Sequence, residues 1–368
     1  MIKALLLHRD LPYHGGVSQS FLTLVRFRDR RRLDLCVATF RLTSEEMLTK
    51  FTQSQAEVYT IGDQGYWSSA WRLRQIITNN SFEIILCGSF KSYLIAKAAS
   101  VGLTVRVVFW IPAIPLVIAG RLRRSIFRML AKTDLLIFIS EAVRRAHNYA
   151  EHRGNQAVIY HGVEDPLFQA GHTPYFKNQR HTRLGISGDC ILFGYVAAFV
   201  GWKEHRTLLH AFNEVADSLS SAELVLIGTG KGIAAIKDMA KLLPCQDRIV
   251  FLGARADARR LFGLIDIYVH PSRGEGFGLA VAEAMLAGVP VIVSDEGAFP
   301  EYIADGVTGL TFPAGEAVAL AKRMLELANN RALAGRLGAA GRAHSLIAFD
   351  PHRFADEMTD ILEKELDR

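Results

Sequence analysis

Glu275-Gly276-Phe277-Gly278-Leu279-Ala280-Val281-Ala282-Glu283-Ala284-Met285-Leu286-Ala287-Gly288-Val289-Pro290-Val291-Ile292-Val293-Ser294-Asp295 is the stretch on which the reading of this chain turns. Its middle, Leu279–Leu286, reads as a helix, and Val289–Val293 reads as a short buried strand. Upstream, Ile265–His270 is another apolar run of strand length, joined on through Pro271-Ser272-Arg273-Gly274. Strands alternating with helices in this way argue for a parallel sheet covered by helices. In open parallel sheets ligands sit beyond the carboxyl ends of the strands, so chemistry is sought just after each predicted strand. Two carboxylates, Glu275 and Glu283, stand eight positions apart around a glycine-containing loop and the helix start. Backbone N–H groups near Phe277, Gly278 and Leu279, with the positive end of the helix dipole behind them, offer a dock for a diphosphate. Each carboxylate can accept hydrogen bonds from sugar hydroxyls, as an acidic side chain holds a ribose diol. The plainer alternative is that acidic residues near a helix start only complement its dipole. That covers each glutamate singly, but not the glycine–aromatic–glycine arrangement between them.

Outward from this stretch the same alternation continues. Cys190–Ala197, Glu223–Ile227 and Arg248–Leu252 read as strands, with helices over Thr207–Leu219 and Ile233–Leu243. Residues 171–183 carry no signal of a buried element and read as a linker or surface loop. Before it, Ile2–His8, Leu33–Phe40, Glu57–Ile61, Glu83–Cys87, Thr104–Phe109 and Leu135–Ile139 read as strands, with a helix from about Ser18 and helical spacing over Trp71–Asn79. Ala317–Arg342 and Pro351–Leu366 read as helices. Two α/β domains account for 368 residues at about 100–200 residues per domain.

Composition excludes several classes. Half of the residues are hydrophobic and 22% charged, which rules out disorder as the main state. Cys36, Cys87, Cys190 and Cys245 form no C-x-x-C pair, so a zinc or redox motif is not expected and reduced, buried thiols are. The short apolar start, Met1–His8, is too brief to be expected to serve as a signal core. The longest apolar run, Val107–Gly120, is broken by Pro112 and Pro115 and falls short of the roughly 20 residues a membrane span needs. Residues 1–165 hold 22 basic and 13 acidic side chains, whereas residues 166–368 hold 21 and 24. The excess of cations in the first half suggests an anionic partner there. Its most basic stretches are residues 26–32, with five arginines, and 118–130, which mixes arginine with large apolar residues at helical spacing. The second pattern suits an anionic lipid surface; a solvated basic face is the alternative. Without a recognised reading module, nucleic acid is not expected.

Three further places follow predicted strands. Gly15-Gly16-Val17 opens the first helix and can present backbone N–H groups to a phosphate, or serve as a plain tight turn. Gly228-Thr229-Gly230-Lys231-Gly232 fails the dinucleotide template, because Ile233 stands at the third glycine position, and fails the P-loop template, because Gly232 follows Lys231. It reads as a glycine-rich turn. Lys203 follows the strand ending near Ala197. It is either an ordinary surface lysine or a cation that stabilises a departing diphosphate.

Residues 275–295 resemble the glutamate-x7-glutamate signature of retaining GT-B glycosyltransferases, most nearly glycosyltransferase family four, the glycosyl transferases group 1 domain. Residues 261–272 and 300–310 resemble the usual approach to and exit from that signature. Ile159-Tyr160-His161-Gly162-Val163 resembles the crossing between domains, with His161 where the family more often has Asn, and Gly15-Gly16-Val17 resembles the N-domain glycine loop. The similarity is strong over about residues 185–345 and thin over 20–150. It implies an α/β GT-B fold of two Rossmann-like domains: 1–165 on the acceptor side, 166–345 binding a nucleotide sugar, and 346–368 a helix packing back on the first. It implies a transferase that moves a sugar from a UDP- or GDP-linked donor to a hydroxyl, with retention, in cell-surface polysaccharide, lipopolysaccharide or glycolipid synthesis.

By the same resemblance, Glu283 binds the ribose hydroxyls. Glu275 holds hydroxyls of the transferred sugar and stabilises its developing positive charge. The amides of Gly276, Phe277, Gly278 and Leu279, with Gly15, Gly16 and Val17, bind diphosphate and sugar. Lys203 neutralises the diphosphate, Gly228 lines the donor site, and residues 248–253 end near the base. No metal and no tightly bound cofactor is implied. Two departures stand out. Ala198 occupies the place of a phosphate-binding arginine, which Arg273 or Lys231 would have to replace. The segment Val108–Pro112 lacks a histidine common in the family, leaving Trp110 either to stack on a sugar or lipid or to fill the core. A catalytically silent relative that binds nucleotide sugars is the alternative that Ala198 favours. A cytoplasmic protein, peripheral on the inner face of the membrane, with a carbohydrate or lipid-linked acceptor, completes the expectation.

Overall fold

The computed structural model describes the chain except residues 13, 14, 42, 43, 115–134, 148–154, 166–176, 187, 188 and 368, and the side chain of residue 181. It divides into two units, Met1–Val163 with Phe349–Arg368, and Glu164–Ala348. Each is built on a parallel sheet.

The first sheet contains β1 (Ile2–His8), β2 (Leu33–Thr39), β3 (Val58–Thr60), β4 (Ile84–Cys87), β5 (Arg106–Ile111), β6 (Leu136–Phe138) and β7 (Gln156–Val158), in the order β3-β2-β1-β4-β5-β6-β7. The central strands are buried on both faces, which is why β1 and β4 read as continuous apolar runs rather than alternating ones. The C-terminal helix, Pro351–Leu366, belongs to this unit and lies against the helix Gly16–Phe27. Asp350 caps it by accepting from the N–H of Arg353 at 2.7 Å, with Pro351 at its first position. Phe354 from this helix meets Trp110 at 5.7 Å between ring centroids, and Phe21 stacks on Trp110 at 5.4 Å. Trp110 is 2% exposed and belongs to this core, which leaves no ring face for a sugar.

The second sheet contains β8 (Ile191–Val196), β9 (Ala222–Ile227), β10 (Ile249–Gly253), β11 (Ile267–His270), β12 (Val291–Ser294) and β13 (Leu310–Phe312), in the order β10-β9-β8-β11-β12-β13. The expected single helix over 317–342 is two, Ala317–Asn329 and Arg331–Ala348. Asn330 makes the break: its side-chain oxygen accepts from the N–H of Leu333 at 2.9 Å, so the residue starts a new helix instead of continuing the old one. In that second helix Gly338 lets the backbone approach the Gly288 carbonyl, where a Cβ would stand at 2.3 Å.

The basic stretch 26–32 is largely committed within its own unit. Arg28 is 6% exposed and donates to the carbonyls of Val25 and Gln55. Arg30 donates to the Ser54 carbonyl, Arg31 pairs with Asp29, and Arg32 bridges to Asp360 and Glu363 of the C-terminal helix. These contacts hold the chain together, while Arg26, Arg30 and Arg31 stay exposed. The basic segment 118–130 lies outside the described residues.

Candidate functional site

Parallel strands carry their C-terminal ends to one edge of a sheet. Because β8 and β11 are neighbours, with Ile267 opposite Phe193 and Tyr268 opposite Gly194, the loops that follow them come together. One ends in the 3-10 turn Gly201–Lys203, and the other carries residues 271–278 into the helix Leu279–Leu286.

Lys203 is fixed from its own backbone. Tyr195, from β8, donates its hydroxyl to the Lys203 carbonyl at 2.7 Å and lies 3.0 Å from the Ser272 hydroxyl. The next residue, Glu204, takes the left-handed conformation with φ 51°, uncommon for a side chain bearing a Cβ. This turn carries the ammonium of Lys203 back to Glu275, with which it forms an ion pair; each side chain is 12% exposed. Lys203 also lies 4.2 Å from the ring centroid of Trp202, a cation–π distance.

Glu275 is held by its neighbours' backbone. Its carbonyl accepts from the N–H of Ala298 at 2.9 Å, and Gly297, with φ +71°, passes so close that a Cβ there would stand 2.4 Å from that oxygen. Both side-chain bonds to Glu275 fall on Oε2, one from Lys203 and one at 3.2 Å to His270 Nε2. Among the described residues Oε1 has no partner. Burial pushes the Glu275 carboxyl up, but Lys203 and His270 outweigh it and hold the group at about 2. His270 is 1% exposed on its side chain and is driven down to about 4 by burial and by Lys203, so its imidazole is neutral at physiological pH.

The helix Leu279–Leu286 begins beside this pair. Gly278 is its N-cap with φ +85°, and a Cβ there would meet Phe299 at 2.7 Å, so the position needs glycine twice over. Tyr302 fixes the preceding turn by donating to the Phe277 carbonyl at 2.5 Å, and Phe277 itself is 2% exposed, a core residue. Glycine as N-cap supplies no side-chain acceptor, and the first N–H groups of a helix have no intrahelical partner. Leu279 opens that first turn, which concentrates partial positive charge next to Glu275. Glu283 lies in the second turn, buried, with Arg259 Nε 2.6 Å away. Burial raises its carboxyl pKa while Arg259 opposes the shift.

Lys203, Glu275, Gly276, Phe277, Gly278, Leu279 and Glu283 are therefore gathered on the loops and helix of one sheet edge. Arg273, from the same loop, is half exposed and spends its guanidinium on Glu204 at 3.4 Å and the Ala314 carbonyl at 3.2 Å. Gly228 follows β9 with φ +137°, and a Cβ there would stand 2.0 Å from the Ala197 carbonyl oxygen. Phe199 donates to the Thr229 carbonyl at 3.0 Å and accepts from Gly232 at 2.9 Å, so the glycine-rich turn is where two loops pack backbone to backbone. Arg248 donates to the carbonyls of Ala216 and Leu219, closing the end of a helix. Gly15, Gly16 and Val17 lie in the other unit. Gly15 is the N-cap of the helix Gly16–Phe27, and its N–H donates to the Pro12 carbonyl at 3.0 Å.

Sequence reasoning passed over His270, Tyr195 and Arg259. His270 ends a strand at the ligand-bearing edge, and that position was its one legible signal. Arg259 reaches Glu283 only through the fold. Among the described residues no group of three or more His, Cys, Asp or Glu could hold a metal ion, and no helix is long and apolar enough to cross a membrane. A buried lysine–carboxylate pair next to a helix N-terminus is suited to receive an anion whose charge the lysine can share.

Residues 176–344 match the family described as Glycosyl transferases group 1. Over 217 residues the chain is 25% identical to N-acetyl-alpha-D-glucosaminyl L-malate synthase of Bacillus anthracis, covering 58% of this chain and 55% of the relative. Over 255 residues it is 26% identical to the GDP-mannose-dependent monoacylated alpha-(1-6)-phosphatidylinositol monomannoside mannosyltransferase of Corynebacterium glutamicum, covering 66% and 65%. The chain thus spans between half and two thirds of the length of these curated relatives. Its fold is that of Anabaena Alr3699/HepE, solved in complex with UDP-glucose, with a TM-score of 0.86 at 21% identity over 99% of this chain and 100% of that one.

Proposed function

We propose that this protein, whose residues 176–344 match the glycosyl transferases group 1 family, is a glycosyltransferase that uses a nucleotide-diphosphate sugar as donor and a hydroxyl group as acceptor, with retention of configuration at the anomeric carbon. The observation that carries the reading is the ion pair of Lys203 with Glu275 beside the N-terminus of the helix Leu279–Leu286. The donor's diphosphate docks at that N-terminus. Lys203 then turns from Glu275 to the phosphate oxygen that will leave. Glu275, ionised far below neutral pH, uses Oε1 for the sugar and faces the positive charge that grows on the anomeric carbon. The bond from that carbon to the phosphate oxygen breaks, and the bond to the acceptor oxygen forms on the same face. The acceptor's proton passes to the departing phosphate, and the products are the glycoside and the nucleotide diphosphate. Glu283 holds the ribose, and Arg259 opposes the upward push that burial gives its carboxyl.

The donor's nucleoside is uridine or guanosine, in line with the UDP-glucose of the Anabaena structure and the GDP-mannose dependence of the Corynebacterium relative. The acceptor is a carbohydrate or a lipid-linked glycan, the latter in line with the phosphatidylinositol mannoside in that relative's name. Contact with an anionic membrane surface fits the helix Tyr66–Asn80, which has no acidic residue and exposes Trp67 (78%) and Trp71 (63%). Release of UDP or GDP from a panel of nucleotide sugars, in the presence of mixed glycan and glycolipid acceptors, tests the proposal. Turnover of at least one donor that falls by about 100-fold or more in Glu275→Gln is expected. Tight binding of a donor with no turnover in any mixture would favour the silent relative that Ala198 suggests, and undiminished turnover in the variant would remove Glu275 from the mechanism.

A further inference from the structure

The proposed mechanism takes Lys203 away from Glu275 at the moment the carboxylate is needed, and something else must then hold that side chain. His270 is placed to do so. It sits at the end of β11, buried, with Nε2 at 3.2 Å from Glu275 Oε2 and Nδ1 at 2.9 Å from the hydroxyl of Tyr268.

The proton positions follow from counting donors. Tyr268 has one hydrogen and two neighbours, His270 Nδ1 and the Val196 carbonyl at 3.2 Å. If Tyr268 donates to Val196, then Nδ1 must carry the imidazole proton and Nε2 turns a lone pair on the carboxylate oxygen 3.2 Å away. Nε2 then accepts only from Lys203 at the longer distance of 3.5 Å, while at 3.2 Å it turns one acceptor on another at a buried contact. If Tyr268 donates to Nδ1, its shorter contact, Nε2 carries the proton and donates to Glu275. Every donor then meets an acceptor. Lys203 Nζ, 3.5 Å from Nε2, converges with it on the same oxygen, which leaves Oε1 for the sugar.

Building on that reading, we infer that His270 is a positioning residue: Tyr268 fixes it as the Nε2–H tautomer, and its N–H keeps Glu275 in place while Lys203 serves the donor's diphosphate. The groups that face this pair are Lys203 and His205 from the β8 side, Tyr195 and Tyr268 from the sheet, and Tyr302 from behind the glycine turn. Of these, Lys203 alone joins His270 in bonding the Glu275 carboxylate.

The test uses the full chain and three variants. Gln places a side-chain N–H where Nε2 stands, so His270→Gln keeps the bond, whereas His270→Phe removes it and Tyr268→Phe frees the tautomer. Nitrogen NMR of histidine-labelled protein is expected to show His270 protonated at Nε2 in the wild type and a tautomer mixture in Tyr268→Phe. The carboxyl carbon of Glu275 is expected to titrate at higher pH in His270→Phe, because the charged form has lost a donor, and to return towards the wild-type value in His270→Gln. Both readouts need no substrate, so they stand or fall apart from the transferase reading. In turnover, His270→Phe is expected to lose about 10-fold or more in kcat with donor KM little changed, and His270→Gln to recover most of it. A wild-type imidazole protonated at Nδ1, or a Glu275 titration equal in all the proteins, overturns the inference. So does a His270→Gln variant as impaired as His270→Phe.

Discussion

Gly297→Ala perturbs Glu275 through its backbone and leaves its carboxylate in place as a chemical group. Gly297 has φ +71°, and a Cβ there would stand 2.4 Å from the Glu275 carbonyl oxygen and 2.6 Å from its nitrogen. Alanine in a left-handed conformation costs about 1–2 kcal/mol, and overpacking costs about 1–3 kcal/mol more. The obstacle is backbone, so rotating a side chain does not relieve it. Reaching ordinary contact requires the Glu275 peptide to move by roughly 1 Å, and a misplacement of that size is worth about 100-fold in rate. Gly306 supplies the control, with φ +72° and open space within 4 Å of where its Cβ would stand; Gly306→Ala therefore carries the conformational cost alone. Thermal unfolding is expected to show a loss of about 2–5 kcal/mol for Gly297→Ala and of about 1–2 kcal/mol for Gly306→Ala. At a temperature where both remain folded, kcat at saturating donor is expected to fall by about 10-fold to 100-fold in the first and to hold in the second. A Gly297→Ala protein that matches Gly306→Ala in both measurements would refute the claim that this glycine sets the position of Glu275.

Lys203→Met removes the cation and keeps the bulk. Turnover is expected to fall by about 100-fold to 1,000-fold, and the pairing lost by Glu275 is expected to lower stability by about 3 kcal/mol in denaturant titrations. Acid acts on the fold in two windows. His161 and His205, held by burial at about 3, and His270, at about 4, stay neutral in the folded chain while the unfolded chain takes up protons from about 6.5 downward. The unfolded state then binds more protons, so stability is expected to fall as pH drops from 6.5 towards 4. Glu275 adds a second loss, because its stabilising charge is complete above 4.5 and disappears as pH falls through about 2. Melting temperatures measured across this range check the sign, and a melting temperature that rises between pH 6.5 and 4 would contradict it.

The two parallel sheets were legible because strands buried on both faces leave short, uninterrupted apolar runs. What escaped was short or was decided elsewhere. β7 and β13 have three residues each and lie at sheet edges, too brief to leave a period. The helix break at Asn330 rests on one side-chain hydrogen bond within a continuous helical composition. In the site, Lys203 and Glu275 announced themselves by standing after strands, and their pairing followed from the adjacency of β8 and β11. His270 gave a weaker sign, its place at a strand end, because a histidine that closes an apolar run reads as part of the strand. The arginines of 26–32 were legible only in part. Charge density was visible, but the acceptors of Arg28 and Arg32, the Gln55 carbonyl and two acids of the C-terminal helix, were not.

The central claim is that the Lys203–Glu275 pair opens to take a donor's diphosphate. A crystal structure of the Glu275→Gln protein with an intact UDP- or GDP-sugar tests it most directly. A phosphate oxygen is predicted within about 3.2 Å of Lys203 Nζ, beside the first turn of the helix Leu279–Leu286, with the ribose on Glu283. A donor bound elsewhere, with Lys203 still turned to residue 275 and no phosphate at the helix, would contradict it.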